Sequence, residues 1–420
     1  MMSSMIVTRR VTFRLYPNKS QEAKMHYWRR LHKDLFNACL AERKTVYQRA
    51  GRSIDYFEQQ NALPDFKEYW QEYKELGSQA LQATVKRVDF AFQRFFQGLG
   101  KYPRFKSSRY YKGWTYPGVA GWKTRSNGGN GHLEISNLGK IQMRGKARTW
   151  GTPTTCTIVW KNNKWYASIT VQCDVQRQTG IGAVGIDIGT LTAVAFDNGE
   201  KIDNPRFLAH AQADIKKASK ELRRKRKPEK GKTKASPRWK KARRKVSKLQ
   251  NKVANRRQDW VHKVAAQITS DNSMVATETV KVKNLTAKAK KGKRKHQKTG
   301  LNRSILDVGF GMLRSAIKYK VEESGGFFVE VPAQKVKPSQ TCPKCLAQKK
   351  KELSERIHCC EKCGYTTDRD VASAIVCLNY AKGVGTTLSD VDDSSSTVKT
   401  RKHTGSLRQL GQAKRQKPRT

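Results

Sequence analysis

Acidic residues are scarce in this chain of 420 residues: 34 Asp and Glu stand against 86 Lys and Arg, a formal net charge of +52. Folding alone does not call for such an imbalance, because self-repulsion opposes compaction. A polyanionic partner accounts for it, since neutralising phosphates releases condensed counterions and drives binding. A solubilising surface or a ribosome-like structural role would carry the same charge, so other features must separate these classes. Long hydrophobic runs are also missing. No stretch of eighteen apolar residues occurs and no apolar segment follows the start, so neither a membrane helix nor a secretory signal is expected. Cysteine is not arranged as a disulfide framework. Of nine cysteines, five lie between Cys342 and Cys363, while Cys39, Cys156, Cys173 and Cys377 are scattered, which points to a reducing compartment.

What is present divides into recognisable segments. TRRVTFRLYP near the start alternates loosely and reads as a strand of a sheet completed later in the chain. Residues 18–97 are helix-like, and SQALQATVKRVDFAFQRFF has an apolar stripe of Leu81, Val85, Val88, Phe92 and Phe95 or Phe96, with Ser78 as its expected N-cap. Core packing explains that stripe. KYPRFKSSRYYKGWTYPG, residues 101–118, interleaves cations with aromatic rings, a mixture suited to backbone contact plus base stacking. Lys101, Tyr102, Arg104 and Lys106 are its candidate nucleic-acid contacts. Short strands follow to about residue 175, with KNNK at 161–164 as a hairpin turn.

A second unit starts near Ile181. IGAVGIDIGTLTAVAFDNGEKID reads as strand, tight turn, strand. Residues 214–269 are helical apart from PEKGKTKASP, which predicts the turn of an antiparallel hairpin with Leu222, Val246, Leu249, Val253 and Trp260 on its packing edge. Its charge is too one-sided for salt-bridge lacing. Arg223, Arg224, Lys241, Arg243, Arg244, Lys252, Arg256 and Arg257 are therefore candidates to face nucleic acid. SMVATETV predicts a strand ending at Glu278, followed by a Lys-rich loop at 281–299 and one helix over LNRSILDVGFGMLRSAIKYKVEES. FFVEVP is a further strand and DVASAIVCLNYAKG a short helix; the basic segment beyond is expected to be disordered.

Three acids stand out by setting. Asp187 is embedded in VGIDIGT between two isoleucines, and a carboxylate there is costly unless it is paired or binds a metal. Glu278 ends an apolar strand. Asp370 opens an apolar helix, where capping is the competing explanation. Carboxylates gathered from strand ends and a helix start can hold two divalent ions for in-line phosphodiester hydrolysis, and oxygen-only ligands select magnesium or manganese. Asp197, Asp259, Asp307 and Asp368 compete on sequence grounds. Between the second and third acids, Cys342 and Cys345 form one CxxC and Cys360 and Cys363 another. That spacing fits a tetrahedral four-thiolate structural zinc site. Cys359 and His358 could compete for the third ligand position, while the symmetry of CPKC with CEKC favours Cys360. Lys344, Lys349, Lys350 and Lys351 could add grip on nucleic acid.

These motifs resemble the TnpB family, the RNA-guided DNA endonucleases encoded by bacterial and archaeal insertion sequences, and the likeness runs to about residue 381. RLYPNKSQEA, FNACLAERK, SQALQ, KYPRFK, NRRQDWVHK and KPSQTCPKC are all similar to family patterns. GIDIGT, ETVKVKNL and RDVASA resemble the three motifs of the split RuvC-like nuclease, which places its catalytic, metal-binding acids on Asp187, Glu278 and Asp370. Two departures touch no proposed ligand: Leu346 stands where a glycine is usual after the first CxxC, and Ala372 where an asparagine is common.

The resemblance implies an α/β fold: a RuvC-like, RNase H-type core with a zinc-ribbon-like insertion, plus an N-terminal small β-barrel and a helical recognition lobe. The implied divisions are 1–17 and 113–180 for a wedge-like barrel, 18–112 for the recognition domain, and 181–337 for the nuclease core with its hairpin at 214–269. The zinc insertion would occupy 338–366, the end of the core 367–383, and a disordered basic tail 384–420. The implied cofactors are Mg2+ or Mn2+ for cleavage and Zn2+ for structure. The implied partners are a guide RNA derived from the transposon end and double- and single-stranded target DNA, read beside a short adjacent motif. The protein itself would be monomeric, cytoplasmic and nucleoid-associated in a prokaryote. A miniature type V CRISPR effector shares the nuclease motifs, and a guided binder without cleavage would be expected to lose an acid, which this chain has not. Nothing marks the tyrosine nucleophile and paired-histidine metal site of a strand-transfer transposase.

Overall fold

The computed structural model describes residues 6–174, 178–229, 233–288, 292, 295–352 and 355–384, so the expected tail lies, beyond its first residue, outside the described residues. The chain forms two compact units. The first holds residues 6–181, 206–273 and 311–327; the second holds 182–205, 274–310 and 328–384.

The first unit is built on a seven-stranded antiparallel sheet. Its strands are β1 (Ile6–Tyr16), β2 (Gly113–Tyr116), β3 (Trp122–Arg125), β4 (Gly131–Ile135), β5 (Gly139–Arg144), β6 (Thr152–Lys161) and β7 (Lys164–Asp174), in the order β2-β6-β7-β1-β5-β4-β3. The opening segment is a strand in a sheet completed later in the chain, as expected, and it is central, paired with β7 along its length and with β5 at its end. The sheet curls into a near-closed barrel whose interior takes the alternate residues Phe13, Leu15, Trp165, Ala167 and Ile169. Asn162 and Asn163 both take positive φ, the backbone of the tight hairpin turn between β6 and β7.

Helices α1 (Lys19–Ala50), α2 (Tyr56–Asn61), α3 (Leu63–Tyr69) and α4 (Ser78–Phe96) share the barrel's core. A capping box between Asn18 and Gln21 starts α1, and Gly51 at φ 63° ends it. Helix α4 departs from expectation. Ser78 is its first residue rather than its cap, which is Gly77 with no side-chain bond. Leu81, Val85 and Val88 are buried, but the stripe emerges towards its end, where Phe96 is 77% exposed. Helices α5 (Phe207–Arg223) and α6 (Pro237–Asp271) form the basic hairpin, and Ser236 caps α6. The Phe207–Trp260 ring pair and the Lys245–Glu221 ion pair fix an antiparallel register.

The second unit holds a five-stranded sheet of β8 (Gly182–Asp187), β9 (Thr192–Phe196), β10 (Lys201–Asp203), β11 (Asn272–Glu278) and β12 (Phe327–Val331), in the order β10-β9-β8-β11-β12. Chain order reverses between β8 and β11, the kind of junction where α/β sheets open a crevice at the strand ends. The expected loop at 281–299 is shorter than predicted, since α7 (Val282–Leu285) makes a helical turn and α8 (Lys295–Val308) begins early. Residues 289–291, 293 and 294 of that loop lie outside the described residues. The single helix expected next is two, α8 in this unit and α9 (Phe310–Glu323) almost wholly in the first, because Gly309 adopts φ 79° and ends α8. Beyond α10 (Ala333–Val336), strands β13 (Ile357–Cys359) and β14 (Thr366–Asp368) pair in the cysteine insertion, and α11 (Arg369–Ala381) closes the unit.

Helix α11 lies directly on β8, and Gly185 permits it: a Cβ there would stand 2.0 Å from the carbonyl oxygen of Ala374 and 3.0 Å from Leu378 Cβ. Gly185→Ala is expected to lower stability by about 2–3 kcal/mol in urea unfolding. Gly300→Ala, in the open on α8, is expected to raise it by about 0.5–1 kcal/mol.

Candidate active site and cysteine cluster

Asp187 is the last residue of β8, Glu278 the last of β11, and Asp370 lies in the first turn of α11. Adjacent strands therefore end in acids, and the helix seated on β8 brings the third. All three fall within the second unit. Gly189 lets the turn after β8 close tightly, since a Cβ there would stand 2.6 Å from the Thr192 carbonyl oxygen. Burial pushes the Asp187 carboxyl up to about 8, and the charges of Glu278 and then Asp370 push the same way. The Ser373 hydroxyl opposes them by donating to Asp187 Oδ1 at 3.2 Å. Cys377 is fully buried nearby, its thiol pushed well up by burial and by Asp187 and Glu278, so it is an inert floor rather than a nucleophile.

The capping alternative for Asp370 is resolved by its neighbour. Asp368 Oδ1 accepts from the backbone N–H groups of Asp370 (2.9 Å) and Val371 (3.3 Å), and its Oδ2 meets Lys201 Nζ at 2.7 Å. With Asp368 as the cap, Asp370 is released from that role. The other competitors are also placed. Asp197 accepts the Gly185 N–H at 2.9 Å, Asp259 pairs with Lys263 on the outside of α6, and Asp307 is buried in α8. Ser373 was not foreseen from sequence, although its position one helical turn beyond Asp370 puts both on one face.

In the insertion, Cys342, Cys345, Cys360 and Cys363 bring their sulfurs within 4.8 Å of one another. Cys342 and Cys363 are 3.7 Å apart and Cys345 and Cys360 3.4 Å. A tetrahedron with Zn–S of about 2.3 Å has edges of roughly 3.8 Å, so the donor set fits zinc without rearrangement. Cys359 is exposed beside Thr366, and His358 is buried against Lys351, so neither belongs to the cluster. Among the described residues these four are the set whose donors already converge as metal ligands; the three carboxylates do not close to such a cage. Their fit to a hard divalent cation rests on their all-oxygen chemistry and the crowded charge that a cation would offset.

Each CxxC ends in a left-handed residue, Gly364 at φ 70° and Leu346 at φ 60°, whose N–H groups return to Cys360 and Cys342 carbonyls. The leucine at the glycine-favoured position is therefore strained. Of the insertion's lysines, Lys349 pairs with Glu361 and Lys351 meets His358.

The cationic candidates fall in the first unit. Lys101, Tyr102, Arg104 and Lys106 are exposed on the segment after α4. Tyr102 rests edge-on against Phe92 and Phe95, and Lys44 Nζ lies over Tyr102 and Phe105 at 5.1 and 4.7 Å. On the hairpin, Arg223, Arg224, Lys241, Arg243, Arg244, Lys252 and Arg256 are exposed and Arg257 is half-buried. No described helix is long and apolar enough to cross a membrane.

A split sheet with acids at the ends of adjacent strands, a four-cysteine insertion, a near-closed barrel and helical lobes together define a RuvC-like nuclease architecture. Three family models match: "Probable transposase" over residues 167–289, "Cas12f1-like, TNB domain" over 310–377, and "Helix-turn-helix domain" over 5–52. The described part of the last stretch is a strand and one long helix rather than two helices around a turn. InsQ of Escherichia coli (strain K12), provisionally named an RNA-guided DNA endonuclease, is 29% identical over 86% of this chain and 89% of its own length. A relative from Streptomyces pristinaespiralis with the same provisional description is 29% identical over 88% of each. The solved structure of the mini-RNA-guided endonuclease CRISPR-Cas_phi3 aligns over 90% of this chain and 92% of that one, at 11% identity and a TM-score of 0.41. Through these matches the chain is similar to the TnpB family of transposon-associated, RNA-guided nucleases.

Two outcomes are expected. Leu346→Gly should stabilise the insertion by about 1 kcal/mol, read as a higher midpoint for zinc loss on chelator titration; Cys360→Ser should abolish stoichiometric zinc and Cys359→Ser should not. The raised Asp187 pKa means the folded chain keeps a proton that the unfolded chain releases near pH 4. The contribution of this carboxyl to stability without divalent ions should therefore be fully present below about pH 4, be lost as pH rises to about 8, and then level off. Asp187→Asn should flatten that slope in unfolding measured across pH.

Proposed function

We propose that this chain is the RNA-guided DNA endonuclease of an insertion sequence. Asp187, Glu278 and Asp370 are its catalytic acids and would hold magnesium or manganese. The grouping of these carboxylates in one unit, where burial and then the charges of Glu278 and Asp370 push the Asp187 carboxyl up to about 8, supports this reading most strongly. Bound divalent ions would activate water and stabilise the leaving oxygen of a phosphodiester. The protein's part is to hold the acids: β8 and β11 fix two, the Asp368 cap fixes the turn that carries the third, and Ser373 orients Asp187.

The names of the relatives support a guide RNA and a DNA target, and the charge of +52 supports nucleic-acid binding. The guide would be made from the transposon end, and the target would be chosen by pairing beside a short adjacent motif. The barrel (1–17 and 113–180), recognition helices (18–112) and basic hairpin would line the nucleic-acid path. The exposed cations from Lys101 to Lys106 and from Arg223 to Arg257 would contact phosphates, and Tyr102 would offer a stacking face. The cysteine cluster would hold structural zinc in the insertion at 338–366. The working form would be one protein copy on its RNA, in the cytoplasm.

The decisive experiment is co-expression with the flanking genomic DNA, sequencing of the bound RNA, and a magnesium-dependent assay on plasmids with randomised bases beside the target. One discrete RNA species and cleavage lost in Asp187→Ala by at least about a thousandfold are expected. A discrete RNA without cleavage would replace the nuclease by a guided binder. Heterogeneous RNA and no cleavage would leave a generic nucleic-acid binder.

A further inference from the structure

The outer face of the barrel carries a pairing that folding does not explain. Arg14 on β1 and Arg144 on β5 are directly opposite in the antiparallel ladder. Such partners sit about 4.5–5.5 Å apart at Cβ, and like charges there destabilise. Neither has a carboxylate partner among the described residues, and Arg14 Nε is buried without a hydrogen-bond acceptor. Both guanidinium groups lie over one ring: Arg14 Cζ is 4.6 Å and Arg144 Cζ 5.1 Å from the centroid of Tyr16, which is 40% exposed. The ring offsets part of the repulsion and holds the two forks in place. The acid on this face of β4, Glu134, stands opposite Lys140 rather than either arginine.

We propose that Arg14, Arg144 and Tyr16 form a clamp for one backbone phosphate of RNA. A phosphate between the two forks would replace repulsion by charge-assisted hydrogen bonds to their terminal nitrogens. The surroundings favour RNA over DNA. Arg14 also faces Tyr166, and the neighbouring rungs of the same face pair Thr12 with Ser168 and Tyr16 with Gln142. These are hydroxyl and amide groups of the kind that bond to a 2′-hydroxyl. The clamp rests on the guided-nuclease reading for its physiological ligand, but not for its geometry.

The test uses the full chain and a short synthetic RNA hairpin, with a DNA hairpin of the same sequence alongside, titrated over a range of salt. Arg14→Gln and Arg144→Gln should each weaken RNA binding about tenfold. The double variant should lose little more than either, because both arginines grip one phosphate. The slope of log K against log salt should fall by about 0.7–0.9 in all three, and the DNA hairpin should be affected less. Arg144→Lys should keep the slope yet bind more weakly, since a point charge cannot replace the fork. The melting temperature of the free variants should be unchanged or higher.

Additive losses with twice the slope change would overturn the clamp in favour of two independent surface charges. Equal losses on DNA would overturn its assignment to RNA, and a fall in melting temperature would make the pair structural. A discrete co-purified RNA with unchanged hairpin affinity in every variant would remove the clamp and keep the guided-nuclease reading. The expected hairpin losses without any discrete co-purified RNA would do the reverse.

Discussion

Three carboxylates brought together at the ends of β8 and β11 and the start of α11 repel one another, and much of the second unit can be understood as holding them there. Asp187 shows the strain most plainly, its acidity weakened first by burial and then by the two neighbouring charges. Two strands are anchored by their ladders, but the third acid arrives on a helix that must be pinned separately. Gly185 gives α11 its close seat on β8, and Asp368 spends both carboxylate oxygens, one on the helix start and one on Lys201. An arrangement that costs stability in the free protein is what a cation-binding centre requires, because the cation then replaces repulsion with attraction.

The cysteine insertion braces the same helix. Arg369, between the capping acid and the third carboxylate, donates its backbone N–H to Arg356 O at 2.8 Å and its guanidinium to the carbonyls of Glu352 and Glu355. Asn379, near the other end of α11, donates to Pro343 O inside the first CxxC. A metal that fixes the two knuckles thus also fixes the position of α11. The strained Leu346 shows that this brace tolerates some cost, since the cysteine cluster over-determines the local backbone.

The first unit meets a different demand, the display of many positive charges without losing its core. It does so with a single aromatic interior in which Trp114 contacts both Trp28 and Trp165 and His32 stacks on Trp114, while most cations stay outside; Arg43 and Lys320 are buried exceptions, Arg43 paired with Asp89. Burial drives the His32 pKa down to about 3, so the ring is neutral and the core adds no further charge. The basic hairpin follows the same plan, with small or apolar residues such as Ala218, Ala242 and Val253 inward and long cationic side chains outward.

The sequence by itself determined whatever depends on local pattern. Alternation marked β1 and the hairpin strands, two asparagines marked the turn at 162–163, paired CxxC motifs marked the cluster, and isolated acids in apolar settings marked Asp187, Glu278 and Asp370 as residues needing a compensating partner. Tertiary structure decided what depends on proximity across the chain. It showed that Asp368 rather than Asp370 caps α11, that Cys360 rather than Cys359 or His358 joins the sulfur cluster, and that Ser373 reaches Asp187. It also showed that α4 starts from Gly77 and that Gly309 splits an apparently continuous helix, because competing local conformations are settled by which surfaces can be buried together. The Arg14–Arg144 pairing was invisible for the same reason: residues 130 positions apart become neighbours only when strand register is set, and register is a property of the whole sheet.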